Sequence, residues 1–130
     1  MADVVICTLE DARDLFGVQG TGEKAASHLR SELGVETVVL TLGTQGAVAV
    51  GKEGSIKRPG HRVETVDRVG AGDAFSAGLV WGLVDGSLEL GLERGLAMSA
   101  LKMSLRGDLF RFDAGEVTAL IAREGREVGR

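Results

Sequence analysis

Eight residues, Val35-Glu36-Thr37-Val38-Val39-Leu40-Thr41-Leu42, constrain the fold more than any other stretch. The run is apolar without a clean alternation, so it reads as a strand buried on both faces, as in a parallel sheet covered by helices. The residues before it supply such helices. Glu23 to Leu33 places Ala25, Ala26, Leu29 and Leu33 at helical spacing and stops at Gly34, a C′ glycine. Earlier, Thr8 opens Leu9 to Phe16 as an N-cap, with acids in the first turn and a stop at Gly17. Leu9, Ala12, Leu15 and Phe16 are expected on its inner face. Val4-Val5-Ile6 before it is a short buried strand. Strand, helix, helix, strand is the order of an α/β domain.

After the long strand, Gly43-Thr44-Gln45-Gly46 is a turn, and Ala47 to Val50 is the second arm of a hairpin. Gly51 to Gly54 turns again into a strand, Ser55 to Arg58, which Pro59-Gly60 breaks. Helical patterns follow at Ala74 to Val84, Leu88 to Leu105 and Ala114 to Arg123. In the first of these, Ala74, Ala77, Gly78 and Gly82 permit close packing. In the second, Leu92, Leu96, Ser99, Ala100 and Met103 form one stripe. Twenty glycines in 130 residues fit this many tight turns. The expected architecture is three-layer α/β, helices on both faces of a mostly parallel sheet, with a hairpin edge near residues 46 to 58.

The stretch Asp67-Arg68-Val69-Gly70-Ala71-Gly72-Asp73-Ala74-Phe75 stands out chemically. A helix starting at Ala71 or Gly72 would aim its free N–H groups into a glycine turn, a favourable place for an anion. Asp73 would lie beside any phosphate held there. A carboxylate next to an anion cradle points to phosphoryl transfer. Net charge of −4 argues against nucleic acid or an anionic membrane as partner. One cysteine, Cys7, excludes an internal disulfide and fits a reducing compartment. Met1-Ala2-Asp3 lacks the basic start of a signal peptide, and no run approaches bilayer-spanning length. A cytoplasmic location is therefore expected.

Asp67 to Gly78 resembles the D-x-x-G-A-G-D-x-F-x-x-G signature of ribokinase-like (PfkB) carbohydrate kinases. Three other segments agree in order. Val4-Val5-Ile6 through Phe16 is similar to the strand and helix carrying an N-x-x-E motif, with Cys7 in place of Asn and Glu10 as the acid. Thr41-Leu42-Gly43-Thr44-Gln45-Gly46 is similar to the T-x-G-x-x-G nucleotide loop. Leu101 to Asp108 resembles the late helix and loop, in a form close to 2-keto-3-deoxygluconate kinases.

The resemblance implies a ribokinase-like (Rossmann-like) fold, of which residues 1–130 form the C-terminal part as one domain. The N-terminal sugar-binding half and lid are not in this sequence. It implies ATP with Mg²⁺, and a sugar or keto-sugar acid as phosphoryl acceptor. Asp73 matches the catalytic base, and Gly70, Ala71 and Gly72 match the anion hole. Thr41, Gly43, Thr44, Gly46 and Ala97 match nucleotide-binding positions. Glu10 matches an acid that organises Mg²⁺ through water. Asp67, with Val69, matches a monovalent-cation position, and Asp67 can equally tie down its loop. Arg68 reads either as a phosphate or acid contact or as a solvated loop residue.

Two readings of function follow. One is an ATP-dependent carbohydrate kinase, or its nucleotide-binding fragment. The other is a non-catalytic remnant that folds, oligomerises and at most binds nucleotide. An edge beside Val4-Val5-Ile6 predicts a homo-oligomer, unless a complementary half fills that place.

Overall fold

The computed structural model describes residues 3–105 and 112–128, with side chains through residue 123. The chain divides into two compact units, Met1–Pro59 and Gly60–Arg130.

The first unit is a four-stranded sheet in the order β1-β2-β3-β4 with two helices. Strand β1 is Val4–Thr8 and β2 is Thr37–Thr41. They run parallel, with Val4 opposite Thr37 and Thr8 opposite Thr41. The connection between them holds α1 (Leu9–Phe16) and α2 (Gly22–Leu33). Strands β3 (Ala47–Gly51) and β4 (Gly54–Arg58) add antiparallel pairings. The sheet is thus mixed, and the expected parallel character is confined to β1 and β2. The cause is local. A turn as short as Gly43–Gln45 can only reverse the chain, whereas the parallel neighbour needed a crossover of two helices.

Val38, Val39 and Leu40 are fully buried, so both faces of β2 are covered as its unbroken apolar run requires. Val38, Leu40, Val48 and Val50 join Ala12, Val18, Ala25, Ala26 and Leu29 in one core, against which Val5, Cys7 and Leu9 pack. The predicted caps are present. The Thr8 hydroxyl accepts from the Asp11 N–H at 2.9 Å, and Gly17 and Gly34 close α1 and α2. The inner face assigned to α1 needs correction. Ala12 is buried, but Leu15 is 74% and Phe16 42% exposed. This short helix packs on β1 and β2 and has α2 as its helical neighbour on one side, so its far flank meets nothing among the described residues of this unit.

The second unit is helical: α3 (Ala71–Asp85), α4 (Leu88–Met103) and α5 (Ala114–Val128). α3 and α4 meet backbone to backbone. A Cβ built on Gly82 would lie 2.2 Å from the Gly91 nitrogen, and one on Gly78 would lie 2.6 Å from the Arg94 oxygen. From the other side, a Cβ on Gly91 would reach the Leu79 oxygen at 2.8 Å and one on Gly95 the Phe75 oxygen at 2.9 Å. Real side chains do not tolerate such separations, so four glycines, two per helix, set this seam. At its end Arg94 stacks on Trp81, 3.8 Å from the ring centroid, and bonds Asp85 at 2.5 Å. Ala97 and Ala100 of α4 pack with Val117 and Leu120 of α5. Lys102 is 1% exposed and partnered, a buried cation that the apolar stripe did not foretell. The segment expected as a loop at Arg106-Gly107-Asp108 lies outside the described residues.

Candidate functional site

In the second unit, α3 begins at Ala71 behind Gly70, whose φ of 80° lies in the left-handed region that costs glycine nothing. This conformation turns the chain from the Asp67–Val69 loop into the helix. The loop is held at two points. The Asp67 carboxylate accepts from the Val69 N–H at 2.9 Å. The Met103 carbonyl, at the end of α4, accepts from the Val66 and Asp67 N–H groups at 2.8 and 3.1 Å. That carbonyl is one of those a helix end leaves without a partner, and the loop satisfies it. Asp67 therefore ties down its loop, one of the two roles its position suggested.

Three residues were expected to form an anion hole, and their N–H groups are not equivalent. The Ala71 N–H already donates to the Arg68 carbonyl at 3.2 Å. Those of Gly70, Gly72 and Asp73 have no partner among the described residues. The Asp73 N–H thus belongs with the open donors, and reading glycines alone missed it. The Asp73 carboxylate is exposed, in the first turn of α3, without hydrogen bond or ion pair among the described residues. Gly72 has an ordinary φ, and a Cβ placed on it would meet nothing within 4 Å. The fold leaves open space where this glycine stands. Arg68 is exposed in the adjacent loop. Ala97, matched to a nucleotide position, is 0% exposed within the α4–α5 core, so its methyl offers no surface to a base.

In the first unit, the parallel pair brings a second set together. β1 and β2 end side by side, with Thr8 opposite Thr41. Glu10 follows on α1, exposed and unpaired among the described residues. Gly43, Thr44 and Gly46 follow Thr41 in a tight turn. Gly46, at φ 99° and ψ −131°, takes a backbone conformation closed to other residues, and its carbonyl accepts from the Leu42 N–H at 2.8 Å. Thr44 is exposed. The carboxyl ends of parallel strands are where open α/β sheets bind ligands. Cys7, in the place of the motif's Asn, packs against the helix-side core instead. Burial, then the charge of Asp11, raises its thiol pKa above the usual value.

No group of three or more His, Cys, Asp or Glu side chains able to cage a metal occurs among the described residues. A Mg²⁺ arriving with a nucleotide needs no cage, because it keeps phosphate and water ligands and takes one or two carboxylates. Glu10 fits that limited demand. No helix among the described residues is long and apolar enough to cross a membrane.

Residues 1–111 match the model of the pfkB family carbohydrate kinases. The 2-dehydro-3-deoxygalactonokinase of Haloferax volcanii is 33% identical over 120 residues, which are 92% of this chain and 38% of that protein. Among solved structures, the ribokinase of Thermotoga maritima superposes with a TM-score of 0.78 at 29% identity, over 92% of this chain and 42% of that one. A fructokinase double mutant of Vibrio cholerae, with fructose, ADP and potassium ion bound, gives 0.81 at 25% identity, over 92% and 41%. The chain spans about two fifths of the length of these proteins. The chain belongs to the pfkB family of carbohydrate kinases, with a ribokinase-like fold.

Proposed function

We propose that this chain carries the nucleotide-binding and phosphoryl-transfer part of an ATP-dependent carbohydrate kinase acting on a hydroxyl of a sugar or keto-sugar acid. The observation that carries the reading is the uncapped start of α3. Among the described residues, three N–H groups lie open there beside an unpaired Asp73, and Gly72 leaves room that they do not use. The similarity to a 2-dehydro-3-deoxygalactonokinase supports a keto-sugar acid of the 2-keto-3-deoxygluconate type as acceptor.

In this mechanism Asp73 accepts the acceptor's hydroxyl proton as its oxygen attacks the γ-phosphorus of ATP. An oxygen–phosphorus bond forms to the sugar, the bond to the β-phosphate oxygen breaks, and ADP leaves with its charge. The N–H groups of Gly70, Gly72 and Asp73 hold charge on the transferring phosphoryl oxygens, at no cost in reorganisation. Thr41, Gly43, Thr44 and Gly46 hold the nucleotide. Glu10 would hold Mg²⁺ through water, and the ion would supply neutralisation of phosphate charge. Asp67 holds the motif loop by accepting from the Val69 N–H, and there, with Val69, it would bind a monovalent cation such as the potassium of the fructokinase structure. A cytoplasmic setting is the proposed location for this ATP-dependent chemistry.

Cys7, packed against the core where the motif has Asn, favours a second reading, nucleotide binding without turnover. One set of measurements separates them. The chain is incubated with Mg-ATP and a panel of sugars and keto-sugar acids, with ATP binding followed in parallel by calorimetry. The kinase reading expects turnover that falls by a factor of about 10³ or more in Asp73→Asn, with ATP binding retained. Binding without turnover supports the second reading. Turnover indifferent to Asp73→Asn would sink the assignment of the base, and no ATP binding would sink the anion hole.

A further inference from the structure

Lys102 is 1% exposed, the one buried polar or charged residue among those described. Taking an ammonium out of water is unfavourable even when it is paired. An exposed lysine in the last turn of α4 would complement that helix's carbonyl end equally well. The burial of Lys102 therefore needs a reason beyond its own helix.

The seam between α3 and α4 shows where position 102 stands. The two helices run antiparallel. A Cβ on Gly91 would meet Leu79, and one on Gly95 would meet Phe75, so the face of α4 that carries these glycines is turned to α3. Position 102 comes seven residues after Gly95, close to two full turns, and falls on that same face. Ala97 and Ala100, on the opposite side of α4, pack against α5. Continued by two turns, the register that sets Gly91 by Leu79 and Gly95 by Phe75 brings position 102 opposite the first residues of α3 and the loop before them. One residue further on, the Met103 carbonyl accepts from the Val66 and Asp67 N–H groups, which fixes the end of this register independently.

A buried cation thus lies behind the place where α3 leaves its N–H groups open. A helix start carries partial positive charge of its own. Bringing an ammonium near it is unfavourable until an anion arrives, and a bound anion then gains from both. Lys102 is partnered where it lies, so it serves by its charge and not by a free bond.

We propose that Lys102 is a positioning residue for phosphoryl transfer, a cation fixed beneath the motif loop that strengthens the hold of the α3 start on the terminal phosphate of ATP. It acts through the N–H groups of Gly70, Gly72 and Asp73, behind them and not among the reacting atoms. Water screens little between packed helices, so the charge reaches the site more strongly than a surface lysine would. The inference rests on the nucleotide reading of the α3 start.

The test is calorimetry of the whole chain with Mg-ATP and with Mg-ADP, since only ATP carries the phosphate that this charge would hold. Lys102→Met keeps an unbranched side chain of similar length and removes the charge. It should lower the ratio of ATP to ADP affinity about tenfold, with ADP binding near its native strength. Lys102→Arg keeps the charge and should keep the native ratio. A purely structural lysine would weaken both nucleotides alike when replaced, and that result overturns the inference. Nitrogen NMR of the native chain adds a measurement that needs no variant to fold. Lys24, Lys52 and Lys57 are exposed, so the slowly exchanging ammonium signal is that of Lys102. It should shift on addition of Mg-ATP and much less with Mg-ADP, and a signal that ATP does not move overturns the inference. A native chain that binds no ATP overturns the reading of the helix start and this inference together. ATP binding indifferent to Lys102→Met overturns this inference alone.

Discussion

Two stretches of α3 use glycine for opposite reasons. At Gly78 and Gly82 the fold demands it, because any side chain would strike the backbone of α4. At Gly72, two to three turns earlier, the fold demands nothing: φ is ordinary and the space beside the Cα is open. Glycine in a helix costs about 1 kcal/mol relative to alanine. At the seam close helix packing repays that cost. At the helix start nothing in the described chain does, and a ligand brought close to the backbone is what would. The same contrast appears in the caps. Ser87 accepts from the Leu90 N–H at 3.0 Å and closes the start of α4, while Gly70 leaves α3 without a side-chain cap. One helix start is closed by a side-chain cap and the other has none.

The seam should give the largest effect. Gly82→Ala places a methyl 2.2 Å from a backbone nitrogen that cannot swing aside as a side chain would. A loss of about 3 kcal/mol is expected, at the upper end for overpacking. Urea denaturation followed by far-UV circular dichroism measures it. A loss below about 1 kcal/mol would mean that the helices part easily and that the glycines do not set their distance.

Gly72→Ala sharpens the comparison, since its two effects have opposite signs. Stability should rise by about 0.5–1 kcal/mol, from helix propensity and the less flexible unfolded chain. ATP binding should weaken by about tenfold, equivalent to about 1.4 kcal/mol, as the methyl enters the space beside the open N–H groups. Calorimetry and denaturation on the same preparation check both. A stabilised protein with unaltered ATP binding would show that Gly72 has no part in holding phosphate.

Much of this arrangement was legible in the sequence, and the exceptions share a cause. Thr8, Gly17 and Gly34 mark helix ends through chemistry that acts within four residues, so they could be read directly. The strand Val35 to Leu42 and the turn at Gly43 to Gly46 are likewise local. The signature made Asp73 and the glycines before it visible together. What escaped depends on residues distant in sequence. Gly91 and Gly95 acquire meaning only once α4 folds back on α3. The Met103 carbonyl becomes an anchor only when the Asp67 loop arrives beside it. Leu15 and Phe16 obey a helical pattern, yet stay exposed because α1 has α2 as its helical neighbour on one side and its far flank meets nothing among the described residues of its unit. Engagement of the Ala71 N–H by Arg68 is a matter of turn geometry that glycine spacing alone does not specify.

The smallest change tests whether the two helix starts are independent. Ser87→Ala removes the hydroxyl that receives the Leu90 N–H and should cost about 1 kcal/mol, the usual worth of such a cap. Because α3 and α4 share a seam, loosening the start of α4 could in principle reach Asp73 through the packed backbone. The glycine contacts argue against this. They run from Gly78 and Gly82 to Gly91 and Gly95, and the Met103 anchor beside the motif loop lies at the far end of α4 from Ser87. Fraying the first turn of α4 therefore leaves that anchor in place. ATP affinity in Ser87→Ala should match that of the native chain while the denaturation midpoint falls. A parallel loss of affinity would show that the open end of α3 depends on the whole hairpin, and that stability and binding cannot be assigned to separate ends of these helices.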